Sequence, residues 1–214
     1  MYMFTRRARL SGSDLRDAIA WATEATQRVS QVAGVTVSLW MRQFSPDVGT
    51  IAFGTFVPDL ATLEAANDKM MVDDGMMRLY EKGNDFILPG SVSDRLATVI
   101  TGEPDLARPI EYTAVVEATM AAGKLEEGIA VGMEIAQRAA KITSVPTMFL
   151  AGTTGNYGSV AWLTGYVNVV ELDRAGQALN QDHSFVEFLD KKARGVYNDT
   201  PGATTQVVYR RIPT

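Results

Sequence analysis

The apolar residues of this chain switch repeatedly between two spacings. Alternation at every second position marks a strand, and recurrence at every third or fourth marks one face of a helix. Read in order, residues 1–101 predict strands near 2–9, 35–42, 50–57 and 92–100, with helices near 13–32 and 59–83. A linker follows at 102–109. From 110 to 214 the same order returns, with strands near 110–118, 145–151, 159–168 and 203–212 and helices near 123–141 and 173–196. Ser11 or Ser13 is placed to cap the first helix, with Asp14 at its positive end, and Asp59 and Asp173 stand at the starts of later helices. Gly34 is placed to end the first helix in a left-handed conformation.

The repetition extends to residue identity. At an offset of 110, Ile19, Ala20, Glu24, Gln27, Arg28 and Val35 fall on Ile129, Ala130, Glu134, Gln137, Arg138 and Val145, without a gap. Tyr2 falls on Tyr112, and Gly49 and Gly158 open the third strand of each half. Each half therefore reads as one strand-helix-strand-strand-helix-strand unit, the split βαβ or ferredoxin-like motif. Ala18 and Ala22 are replaced by Gly128 and Gly132, which keeps a stripe of small residues on the first helix of each half. Such a stripe predicts close helix-on-sheet packing, in preference to a membrane-style dimer motif, because Glu126, Glu127, Glu134 and Lys141 share the helix near 123–141 with the two glycines.

Several strands do not alternate. Ile51 to Val57, Val145 to Ala151 and Val160 to Val167 are apolar on both faces, so the face away from the helices must also be hidden from water. The duplication supplies a second sheet to hide it. The expected fold is α+β: two tandem ferredoxin-like (βαββαβ) repeats whose antiparallel sheets form an eight-stranded α/β barrel with its helices outside. A homodimer pairing halves from two chains is the alternative.

The stretch Ala178 to Leu189, followed by Pro201-Gly202 and the strand Val207 to Pro213, resembles the second helix and last strand of NIPSNAP-like proteins and antibiotic-biosynthesis monooxygenases. Both belong to the dimeric α/β-barrel superfamily. Ala66 to Met71, leading to Pro89-Gly90, is a weaker version in the first half. The resemblance implies a fold more firmly than an activity, since superfamily members include cofactor-free oxygenases, isomerases, polyketide cyclases, haem enzymes and proteins with no known reaction.

Composition narrows the chemistry. The formal charge is −5 and the basic residues are scattered, so nucleic acid is not an expected partner. No apolar run reaches the roughly 20 residues that span a bilayer, and no signal-like stretch follows Arg6, Arg7 and Arg9; the expectation is a cytoplasmic protein without a membrane partner. Cysteine is absent and there is one histidine, which removes thiolate nucleophiles and the usual two-histidine metal sites. Neither a cofactor nor a metal is expected, and haem ligation by His183 lacks any other sign of a haem pocket.

His183 sits in a polar break, Asn180 to Ser184, and its side chain suits proton transfer near neutrality. It is the candidate general base, with Asp182 or Glu187 to orient it; family monooxygenases and cyclases often use such a histidine, as the resemblance implies. The competing reading is a helix-break histidine bonded to backbone or water. Trp162, Thr164, Tyr166 and Asn168 are expected on one strand face, where Tyr166 and Asn168 would orient a substrate and Trp162 would line its site. Trp40, Met70 and Met71 are further candidates for contact with an apolar or aromatic small molecule, though aromatics and methionines more often fill cores. Gly152 to Gly158 has the glycines of a phosphate loop but is followed by a strand and lacks the lysine, so it predicts a hairpin. The function expected is a cofactor-independent oxygenase, isomerase or cyclase acting on an aromatic or polyketide-like molecule. The alternative is a non-catalytic small-molecule-binding or assembly protein.

Overall fold

The computed structural model describes residues 1–11 and 14–214. Its strands are β1 (Tyr2–Arg9), β2 (Ser38–Gln43), β3 (Thr50–Val57), β4 (Ser93–Thr101), β5 (Tyr112–Thr119), β6 (Thr147–Gly152), β7 (Ser159–Tyr166) and β8 (Thr205–Ile212). Its helices are α1 (Leu15–Ala33), α2 (Leu60–Met71), α3 (Asp74–Gly83), α4 (Leu125–Thr143), α5 (Val169–Gln181) and α6 (His183–Phe188), with a π-helical turn at Leu189–Ala193. The hydrogen-bonded strand order β1-β3-β2-β8-β5-β7-β6-β4 closes on itself as an antiparallel eight-stranded barrel, the α+β tandem architecture that the two-faced strands predict. By compactness the chain forms one unit of Met1–Leu96 with Arg210–Thr214 and a second of Ala97–Tyr209. No helix among the described residues is long and apolar enough to cross a membrane.

In the first unit β1 pairs with β3 from Tyr2 opposite Val57 to Arg9 opposite Thr50. Leu39, Ile51 and Ala8 turn towards α1 and α3, where they bury Trp21, Met76 and Leu79. Full burial of such a side chain stabilises by about 1.5–3 kcal/mol. The Trp21 indole donates to the Leu79 carbonyl at 2.8 Å, so the largest core side chain also satisfies its polar edge.

The second unit repeats the plan with tighter helix contact. Trp162 on β7 donates to the Gly132 carbonyl of α4 at 2.9 Å, and the buried Tyr197 hydroxyl donates to the Gly128 carbonyl at 2.6 Å. A Cβ at Gly132 would stand 2.2 Å from the Phe149 ring, and one at Gly128 would stand 2.3 Å from the Met120 sulfur. The small-residue stripe is thus a packing surface, as its sequence suggests. Arg108 fixes the approach to β5 by a bidentate pair with Glu171, at 2.7 and 2.8 Å, and Glu171 also accepts from the Val167 N–H at 2.8 Å.

Three helix expectations change. The helix expected at 59–83 is two, α2 and α3, because the Asp73 side chain accepts from the Met76 N–H at 2.7 Å and starts a new helix. The helix expected at 173–196 begins earlier, capped by Asn168, and Asp173 lies inside it, accepting from Gln177. It too is interrupted, since Asp182 accepts from the Phe185 N–H at 2.9 Å and opens α6. Asp73 and Asp182 are 109 residues apart, so both halves break the same helix by the same device. At the first helix, Asp14 occupies the N-cap without a side-chain bond; Ser13 falls outside the described residues. Gly34 ends α1 at φ 73°, as expected.

The glycine contacts set a test. Gly132→Ala is expected to destabilise by about 1–3 kcal/mol in urea unfolding, because the Phe149 ring it would strike is fully buried against Trp162. Gly176→Ala, in α5 with open space around its Cβ, is expected to stabilise by about 0.5–1 kcal/mol. Equal effects at the two positions would contradict the packing argument.

Candidate functional site

The space between sheet and helices is occupied by the protein's own side chains. Trp162 stacks at 5.3 Å from Phe149 and meets Tyr197 edge-on at 5.4 Å. Tyr166 is buried with Tyr112, Ala114, Val145 and Ala175, and burial pushes its phenol above the usual range. Asn168 leaves the strand and caps α5, its side chain accepting from the Glu171 N–H at 2.9 Å and otherwise exposed. His183 is the exposed first residue of α6. Beside it, Asp182 is held below the usual carboxylate range by bonds from the Ser184 hydroxyl and the Phe185 N–H. Glu187 pairs with Lys191 instead of orienting the imidazole.

The first-half candidates are similarly dispersed. Trp40 is half-buried on the strand face opposite Leu39, with the Arg211 guanidinium 6.0 Å from its ring. Met70 packs against the first unit's core, while Met71 is exposed. The seven residues singled out from the sequence therefore do not converge on one place within either unit.

A different constellation does converge. Facing surfaces of α1 and α3 leave an open groove of about 420 Å³, lined by Glu24, Gln27, Arg28 and Gln31 from α1 and by Gly75, Arg78, Leu79 and Lys82 from α3. The spacing on each helix is three or four residues, so each set lies on one stripe. Arg28 reaches across to Asp73 with two hydrogen bonds, Nε to Oδ1 at 2.9 Å and Nη2 to Oδ2 at 2.5 Å. Its guanidinium lies against Gly75, where a Cβ would stand 3.0 Å from Nε. The Arg28 bond, then the Met76 N–H, holds the Asp73 carboxyl below its ordinary range; in return Asp73 raises the guanidinium.

The second unit supplies an internal comparison. At the 110 offset Arg28 and Glu24 correspond to Arg138 and Glu134, and these two pair with each other at 2.7 Å. The Arg138 guanidinium then covers the Phe188 ring at 4.1 Å. On the other helix, the 109 offset set by the two aspartates matches Arg78, Leu79 and Lys82 to Glu187, Phe188 and Lys191. Where the second unit has a Glu187–Lys191 ion pair and a phenyl ring under an arginine, the first unit has two cations one turn apart and a smaller leucine. Sequence reading passed over this groove because each of its residues resembles a solvated helix face. The signal that finds it is the repeat itself, read for differences of charge.

No protein-family model and no curated protein matches the sequence. Solved structures do match the fold. A candidate monooxygenase from Fusobacterium nucleatum superposes with TM-score 0.71 at 6% identity, covering 99% of this chain and 92% of that one. Another candidate monooxygenase, from Lactobacillus acidophilus, gives 0.63 at 8% identity over 98% and 93%. An anthrone oxidase-like protein gives 0.64 at 10% identity over 99% and 91%. These structures share the closed eight-stranded barrel with outer helices found in this chain. At these identities the likeness is one of fold.

The Asp73 pair makes a pH prediction. A carboxylate whose folded pKa is depressed contributes stability that is complete above its unfolded value, about 4, and is lost as pH falls through the lower folded value. Thermal unfolding followed from pH 6 to pH 2 should therefore fall less steeply below about pH 4 in Asp73→Asn than in the parent protein. Parallel curves would show that the Arg28–Asp73 bond contributes nothing to folding.

Proposed function

We propose that this chain is a non-catalytic small-molecule-binding protein on an α/β-barrel scaffold, and that its ligand sits in the groove between α1 and α3. One observation carries the reading. The two units are copies, yet the face that the second unit fills with Phe188 under Arg138 is left open in the first, with its polar side chains pointing into the opening. An open volume of about 420 Å³ lies within the roughly 300–1,000 Å³ typical of ligand sites. The filled sheet-to-helix space in the second unit argues against a flat substrate held there.

A second reading keeps the expected chemistry: a cofactor-independent oxygenase, isomerase or cyclase acting on an aromatic or polyketide-like molecule, with His183 as base. Its support is an accessible imidazole at the start of α6 beside an ionised Asp182, on a fold shared with candidate monooxygenases. Tyr166 and Trp162 would then act only after rearrangement of the packing described above, whereas Asn168 and Met71 are exposed and Trp40 and Met70 partly so.

The two readings give opposite outcomes. Native mass spectrometry of the purified protein is expected to show a retained small molecule that is lost in Gln27→Trp, an exposed substitution that places an indole in the groove. Retention unchanged in that variant would remove the groove as the site. For the enzyme reading, oxygen uptake or cyclisation with a polyphenol panel should disappear in His183→Ala while the melting temperature is kept. Turnover that survives the substitution would leave His183 without a role.

A further inference from the structure

We propose that the occupant of the α1–α3 groove is a small oxyanion carrying about one negative charge, a carboxylate or a phosphate diester, gripped by Arg78 and Lys82 with Arg28 behind them. The inference rests on reading the groove as the ligand site. Arg28 spends two of its donors on Asp73 but leaves Nη1 without an acceptor among the described residues. Arg78 and Lys82 form no ion pair there either, although they sit four residues apart on one stripe of α3. Like charges at this spacing weaken a helix. The corresponding positions of the second unit avoid that repulsion with a glutamate and a lysine. An anion bound between the two cations removes it in the first.

Glu24 sets the charge of the guest. It lines the same groove and, unlike Glu134, has no partner among the described residues; Arg78 also stabilises the Asp73 carboxylate, so three cations, Arg28, Arg78 and Lys82, face two carboxylates, Asp73 and Glu24. A single negative charge balances the groove, and a highly charged anion meets Glu24. Gln27 and Gln31 offer amide donors and acceptors to the polar body of the ligand. Gly75 lets the Arg28 guanidinium lie flat against α3, where the second unit has Ser184, which keeps the floor of the site planar and charged.

The test titrates ¹⁵N-labelled protein at low ionic strength with sodium acetate, sodium dimethyl phosphate, or sodium chloride at matched ionic strength. The Gly75 and Arg78 amides and the Arg28 Nε–H are expected to shift and saturate with acetate, dimethyl phosphate or both, and chloride is expected to leave them unsaturated. Saturation by only one of the first two identifies the headgroup. Arg78→Gln, an exposed change that leaves the core intact, should weaken binding several-fold, and Arg78→Gln with Lys82→Gln should weaken it tenfold or more. Shifts that only track ionic strength, or an affinity unchanged in the double variant, would overturn the oxyanion. Should the retained molecule still bind the double variant yet be lost in Gln27→Trp, the groove stands as a site for an uncharged ligand; insensitivity to both variants removes the groove as well.

Discussion

A buried indole has one hydrogen to donate and must find an acceptor for it. Leaving that donor unmet costs about 1–3 kcal/mol, and each unit meets the demand against a helix backbone. Trp21 reaches the Leu79 carbonyl of α3, and Trp162 reaches Gly132 on α4. Both solutions need glycine, because a carbonyl inside a helix is accessible only where side chains are absent around it; in the first unit a Cβ at Gly83 would stand 2.6 Å from the Trp21 ring. In the second unit Gly132 and Gly128 provide that opening, and the Tyr197 hydroxyl uses the Gly128 carbonyl. Helix and sheet are then held so closely that Phe149 fills what space is left. Open space is left instead where two helices face one another, as between α1 and α3.

At those surfaces the two copies part company. An arginine stands at the same point of the first helix in each, and its choice of partner decides the local landscape. Arg138 finds Glu134 on its own helix and lies over Phe188. Arg28 crosses to Asp73, whose carboxylate is already fixed in place by capping α3, and leaves Glu24 uncommitted. A single cap thus does double duty, starting a helix and turning a guanidinium. The differences that follow at Arg78, Leu79 and Lys82 all enlarge or charge the same opening.

Much of this fold can be read from the chain, and particular residues show why. The duplication is visible because Glu24, Gln27 and Arg28 recur at one offset, and the closed sheet follows from strands such as Ile51 to Val57 that are apolar on both sides. Helix interruptions were harder, since Asp73 and Asp182 look like ordinary surface acids until their side chains are seen accepting from N–H groups three residues on. The candidate site was the least accessible. Trp162 and Tyr166 carry the polar edges that suggest a binding face, yet those same edges are what a core aromatic needs in order to be buried. Asn168, expected on the same strand face, instead uses its side-chain oxygen to start α5.

An unfavourable charge pair persists on α3. Arg78 and Lys82 repel one another, and a glutamate at the first position would restore the ion pair found in the other copy. The cost of the present arrangement is small, a few tenths of a kcal/mol on an exposed helix, so folding alone neither requires nor forbids it. The arrangement does not stand alone, however. Glu24 lacks the pairing that Glu134 has, Gly75 clears room for Arg28, and Leu79 is smaller than Phe188. Random drift in one helix has no reason to be matched by an open, compatibly charged surface on the helix opposite. A shared guest does supply that reason, because it sees both helices at once.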